Sequence, residues 1–187
     1  MNLKTCTHAL RPQVHRLAHE NHRLVPEAFP APENSARSGK PAAGTGLWSS
    51  THSKGTSEWI EWCIGEDFQV PHDGVWHVAI LDPCRTAKVL CIDNLEDLKR
   101  IIACYLISGD KWRLHLDWER MARDGYHGVH LSSEGESATR FSTPDLYGWD
   151  CESTVWLAWA FEHIEYTTIK TKPEKEKRHE LPRTISR

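Results

Sequence analysis

The sequence predicts an α+β fold, and two observations carry it. Strand-like and capped helix-like runs follow in the order strands with a long loop, helix, two strands, two helices, two strands. That order holds too few β-α-β alternations for a doubly wound sheet. No glycine-rich G-x-G-x-x-G run or P-loop opens any helix, so a nucleotide, if bound, is not held by those cradles.

Taken in order, Gln13 to Phe29 interleaves Val14, Leu17, Leu24 and Val25 with His15, Arg16, His19, His22 and Arg23, and reads as one or two short strands. Phe29 to Gly46 has no apolar period and is rich in Pro, Gly, Ala and Ser, which marks a long loop. Leu47 to Thr51 is a short strand. Ser57 to Ile64 suits a helix capped by Thr56 or Ser57. Val75 to Leu81 and Ala87 to Ile92 are β-rich runs separated by five residues and read as neighbouring strands. Asp93-Asn94-Leu95-Glu96 resembles a capping box with Asp93 as the cap. The helix it opens gathers Leu95, Leu98, Ile101, Ile102 and Tyr105 on one face as core. A short helix, Trp118 to Arg123 behind an Asp117 cap, leads to a strand over Tyr126 to Leu131. Ser132 to Pro144 reads as a loop, and Thr154 to Phe161 as the last strand.

Composition bounds the rest. A chain of 187 residues with 39% hydrophobic and 26% charged residues makes one globular domain. No run approaches the ~18 apolar residues of a membrane helix, and Met1 to Arg16 holds no apolar signal segment, so a cytoplasmic protein without membrane contact is expected. The predicted organisation is a flexible N-terminus over 1–12, one domain over 13–168 and a basic tail over 169–187. Lys170 to Arg187 carries seven Lys/Arg against three Glu, within a net charge of -3. Such a tail is either solvated or a nucleic-acid contact. Six cysteines lack a C-x-x-C spacing and read mostly as buried free thiols. The histidine pairs, His127 and His130 among them, complete no recognisable ligand set, so no metal site is expected. Nine tryptophans exceed what a core of this size needs, and some should line a pocket for a flat ligand.

The densest chemistry lies in Tyr147-Gly148-Trp149-Asp150-Cys151-Glu152, which runs into the apolar segment Thr154-Val155-Trp156-Leu157. A spacing of two puts Asp150 and Glu152 on one face of an extended segment, with Cys151 on the other. Trp149 and Trp156 are bulky enough to exclude water there, and dry carboxylates are costly unless used. A surface turn whose acids cap or pair is the plainer alternative.

Read together, these pieces resemble the ADP-ribosyltransferase fold family over Val14 to Glu165. The resemblance implies a split antiparallel sheet that grips NAD in a cleft. It implies His15, Arg16 or His19 holding the dinucleotide from the first strand, Trp48-Ser49-Ser50-Thr51 shaping the nicotinamide pocket, and Glu152 touching the nicotinamide ribose. Asp150 would orient the acceptor, and Trp48 or Tyr147 would stack on nicotinamide. The implied activity is NAD-dependent mono-ADP-ribosyl transfer to a protein or nucleic-acid acceptor. A glycohydrolase, or a catalytically inactive binding protein on the same fold, stays open.

Overall fold

The structure, a computed structural model, describes residues 3–6, 11–35, 39–110, 113–146 and 148–171. A seven-stranded sheet runs through it in the order β4-β7-β8-β2-β1-β3-β9. These strands are β1 (Gln13–Arg16), β2 (Leu47–Thr51), β3 (Val75–Pro83), β4 (Val89–Ile92), β7 (Gly128–Leu131), β8 (Ser153–Trp156) and β9 (Phe161–Lys170). Every pairing is antiparallel except β4 with β7. A separate hairpin joins β5 (Leu106–Asp110) to β6 (Arg113–Leu116). Helices α1 (Glu58–Gly65), α2 (Leu95–Tyr105), α3 (Trp118–Arg123) and α4 (Ser133–Thr139) complete the described residues. None is long and apolar enough to cross a membrane.

Local chemistry accounts for the helix starts. Ser57 caps α1 by accepting from the Ile60 amide, and Asp117 caps α3 by accepting from the Arg120 amide. At α2 the capping pair sits one residue later than the sequence suggests. Asn94, not Asp93, accepts from the Asp97 amide, and the Asp97 carboxylate accepts in return from the Asp93 amide. Leu98, Ile101 and Tyr105 of α2 then pack with Met121 of α3 against Val129, Leu131 and Val155. On the other half of the sheet, Ile60 and Cys63 of α1 join Val14, Trp76 and Val78.

Several elements depart from expectation. The two β-rich runs, β3 and β4, are not neighbours: β3 lies between β1 and β9, while β4 pairs with β7 at the far end. The 132–144 segment holds α4, capped by Ser132. Its glycine is required, because a Cβ on Gly135 would lie 1.9 Å from the Ile92 carbonyl oxygen. The last run divides into β8 and β9, and β9 continues to Lys170 paired with β3, with one register shift between Asp82 and Pro83. Residues 172–187 of the basic tail lie outside the described residues. Between Gln13 and Phe29 one strand forms, followed by a 3-10 turn at Pro26–Ala28.

The sheet divides at β2. Its second half pairs with β1 at Gln13↔Thr51 and Val14↔Ser50. Its first half pairs with β8 from Leu47↔Trp156 to Ser49↔Thr154. Beyond Val14, β1 leaves β2 and stays with β3 through Arg16↔Val78. A gap therefore opens on one side of β2 at Trp48 and on the other at Thr51.

The N-terminal residues are tied to the edge strand. Cys6 donates to the Val89 carbonyl, Cys91 donates to the Lys4 carbonyl, and Cys6 and Cys91 form a disulfide between residues 85 apart. This corrects the free thiols expected at these two positions. Because the bond closes a long loop, replacing Cys6 and Cys91 together with Ser is expected to lower unfolding free energy by about 2–5 kcal/mol. Guanidinium titration measures this, and an unchanged midpoint would show that the pair contributes no cross-link.

Candidate functional site

Glu152 fills the gap between β2 and β8. Where Thr51 loses a β8 partner, its amide donates to Glu152 Oε2 at 2.9 Å, so a side-chain carboxylate takes the place of a strand carbonyl. The Ser50 hydroxyl donates to the same oxygen at 2.7 Å, and the Thr51 hydroxyl donates to Oε1 at 2.8 Å. The residue is 5% exposed. A buried carboxylate with this many donors is the arrangement that offsets its desolvation.

The opposite gap is bridged by His15. Its Nδ1 lies 2.7 Å from the Trp48 carbonyl oxygen. A carbonyl only accepts, so Nδ1 carries the hydrogen, and the neutral ring keeps its lone pair on Nε2. Burial lowers the His15 pKa; the Trp48 bond opposes that fall and neighbouring His22 adds to it.

Gln13 links the two ends. Its amide oxygen accepts from the Ser49 and Thr154 hydroxyls, and its Nε2 donates to the Thr51 hydroxyl and to the Arg11 carbonyl. The Trp156 indole donates to Ser49 at 2.8 Å. His130 on β7 completes the group, with Nδ1 2.8 Å from Thr154 Oγ1 and 3.5 Å from Glu152 Oε1.

Three clefts surround this network. One of about 370 Å³ is walled by Trp48, Trp59, Trp62 and Trp149, with Arg16 and Ser50 on its lining. Trp48 meets Trp149 edge-on at 4.8 Å, and the Lys40 ammonium lies 5.6 Å over the Trp48 ring. The Trp149 indole N–H is buried without a hydrogen-bond partner among the described residues. The second, about 840 Å³, shares His15, Lys40 and Trp48 with the first and is walled by the loop before β2. That loop is closed on itself, Gly46 donating to the Pro30 carbonyl and Ala42 to the Glu33 carbonyl. The third, about 340 Å³, holds Glu152, His130, Thr51, Glu58 and Arg11.

The structure thus gathers most of the residues singled out from sequence, but not in the expected way. His15, Arg16, Trp48, Ser49, Ser50 and Asp150 all line the aromatic cleft. Ser49 commits its hydroxyl to Gln13, and Arg16 donates to Gln69 at 2.8 Å while lying 5.2 Å over the Trp76 ring. His19 is exposed beyond β1, lines none of the three clefts and packs near His22. Tyr147 lies outside the described residues. Asp150 and Glu152 do not share a face: the strand begins only at Ser153, and the bends before it send Asp150 to the aromatic cleft and Glu152 between β2 and β8. Cys151 lines the same cleft as Asp150, and burial beside Glu152, Glu58 and Asp150 pushes its thiol up to about 12, which favours the neutral thiol at pH 7. Among the described residues no cluster of His, Cys, Asp and Glu could hold a metal ion.

Sequence reading missed Gln13, His130 and Thr154. Gln13 and Thr154 carry no motif of their own, and His130 was visible only as part of a histidine pair. The chain matches no protein-family model, no curated protein and no solved structure.

His15 and His130 both have pKa values lowered from 6.5, chiefly by burial. The unfolded chain therefore takes up protons first as the pH falls. Stability is full above the unfolded value of 6.5 and is lost as the pH drops through the lower folded values. Urea titrations between pH 7.5 and 5 are expected to show this loss, and His15→Gln should remove part of it. A flat profile across that window would contradict two rings held neutral in the folded chain.

Proposed function

We propose that this chain is an NAD-dependent mono-ADP-ribosyltransferase that moves ADP-ribose from NAD to a protein or nucleic-acid acceptor and releases nicotinamide. One observation carries the reading. At the division of the sheet, the Ser50 hydroxyl lines an aromatic cleft and at the same time donates to the Glu152 carboxylate, which Thr51 holds from a second direction. Breaking the glycosidic bond of bound NAD develops positive charge on the ribose, and a fixed carboxylate nearby stabilises it.

The residues suit such a ligand. Trp48, half-exposed on the lining and backed edge-on by Trp149, offers flat surface for a nicotinamide ring. Among the described residues the Trp149 N–H has no acceptor, which a carboxamide or hydroxyl would supply. Arg16 and Lys40 put cationic groups on the lining, where a pyrophosphate needs them. The aromatic cleft and its neighbour share His15, Lys40 and Trp48, so an extended dinucleotide has continuous lining. Because Thr51 and Ser50 fix both carboxylate oxygens before any ligand arrives, Glu152 needs no reorganisation during the reaction.

Purified protein is expected to release nicotinamide from NAD, and more of it when lysate supplies an acceptor. Glu152→Gln should lower the rate on the order of 10²–10³-fold while leaving NAD binding by calorimetry in place. Release that lysate does not raise would make the protein a glycohydrolase. NAD binding without release would leave a binding protein, and neither binding nor release would end the reading.

A further inference from the structure

The third cleft carries a group that the reading above leaves idle. His130 is 7% exposed, and the orientation of its ring follows from the hydrogen bonds around it. Gln13 Nε2 donates to the Arg11 carbonyl, which settles which end of the Gln13 amide is oxygen. That oxygen only accepts, so the single Thr154 hydroxyl proton is committed to it at 3.1 Å. Thr154 then has only lone pairs to offer His130 Nδ1 at 2.8 Å, and Nδ1 must carry the hydrogen. The same N–H faces Glu152 Oε1 at 3.5 Å. The lone pair of the neutral ring is therefore on Nε2, which has no partner among the described residues. Of the three clefts the ring lines only the third, beside Ser53, Ser132 and Glu58.

We propose that His130 is the general base of this site, accepting at Nε2 the proton of an O–H nucleophile, either water or an acceptor hydroxyl, that enters the third cleft. The inference rests on the transferase reading and adds the step that reading lacks. An imidazole held through Nδ1 by a carboxylate and a hydroxyl, with Nε2 open to a cleft, has the geometry of a positioned base. Glu152 thereby stands between the two clefts: Ser50 joins it to the aromatic side, and His130 and Thr51 join it to the other. In the step itself, the bond between ribose C1′ and the nicotinamide nitrogen breaks and its electron pair leaves with nicotinamide. The nucleophile oxygen bonds to C1′, its proton passes to Nε2, and solvent later removes that proton. The products are nicotinamide, an O-linked ADP-ribose or free ADP-ribose, and one proton. Burial, which outweighs the pull of Glu152, Asp93 and Glu58, keeps the ring in its neutral, proton-accepting form at pH 7.

The charged groups around His130 are Glu152 before β8, Glu58 on α1 and Asp93 after β4, the last paired with Lys4, with Arg11 and Glu134 lining the same cleft. His130→Asn is the informative variant, because its amide can replace the Nδ1 donor while the base at Nε2 is deleted. Nicotinamide release from NAD in water would be followed against pH for the wild-type chain, for His130→Asn, and for His130→Ala with and without added imidazole, alongside thermal melts and KM for NAD. The wild type is expected to lose kcat below pH 6.5 with a single-proton dependence. His130→Asn should fall by about 10²–10⁴-fold with that dependence gone and KM within about twofold. Imidazole should restore part of the His130→Ala rate. An acid limb and rate in His130→Asn equal to wild type would overturn the base role alone, as would a loss in His130→Ala that imidazole does not reverse while KM rises. No release by the wild-type protein at any pH would overturn both this role and the transferase reading.

Discussion

A single strand cannot hydrogen-bond fully to two neighbours that diverge, and that constraint at β2 organises the molecule. Leu47 to Ser49 belong to β8, whereas Ser50 and Thr51 belong to β1. Each divergence leaves backbone groups of β2 without a strand partner, and a buried amide or carbonyl left so costs about 1–3 kcal/mol. The sequence answers with side chains. Glu152 accepts from the Thr51 amide on one side, and His15 donates to the Trp48 carbonyl on the other. The residues that close the sheet electrostatically are thus the residues that face its clefts.

The polar layer between them is directional. Trp156 donates to Ser49, Ser49 to Gln13, Gln13 to Thr51, and Thr51 to Glu152, so each proton has one destination and the chain ends on a carboxylate. Thr154 runs into the same Gln13 oxygen from the β8 side. Networks of this kind are specific because any member turned the wrong way leaves a buried donor facing a donor. The surrounding packing keeps water out: Trp156 is 1% exposed and Trp149 4%. Structure and proposed chemistry therefore make the same demand on Glu152, a fixed and desolvated carboxylate.

Sequence reading recovered what is local and lost what is not. The bounds of β2 and α3 and the caps at Ser57 and Asp117 follow from neighbours a few residues apart, and they appear where the pattern places them. The placement of β3 and β4 does not, because two β-rich runs joined by a short link satisfy a hairpin pattern, while a pairing of β4 with β7 depends on the crossover through α2 and α3. Helix α4 was hidden by Ser, Gly and Glu content that suits a loop, and only the close approach of Gly135 to Ile92 explains its glycine. At the site, Glu152, Ser50 and Trp48 were legible because aromatic and polar residues crowd them in sequence. The facing of Asp150 away from Glu152 was not, since alternation applies only once the strand has begun, and it begins at Ser153.

Two imidazoles, His15 half-buried and His130 buried, show how one division of a sheet can serve two clefts. His15 and His130 lie on different strands, yet each spends Nδ1–H on the network, His15 at the Trp48 carbonyl and His130 at Thr154 and Glu152. Each therefore keeps a lone pair on Nε2, with burial lowering the affinity of both for a proton. His15 lines the two clefts beside Trp48, whereas His130 lines the cleft beyond Thr51. A ring that were free to turn could present either nitrogen, and its tautomer would follow the ligand. Here the backbone gap dictates the tautomer of His15, and the Gln13 amide dictates that of His130. The strand divergence at β2 thus fixes the acceptor nitrogen of His15, and the Gln13 network beside it fixes that of His130, before any ligand is bound.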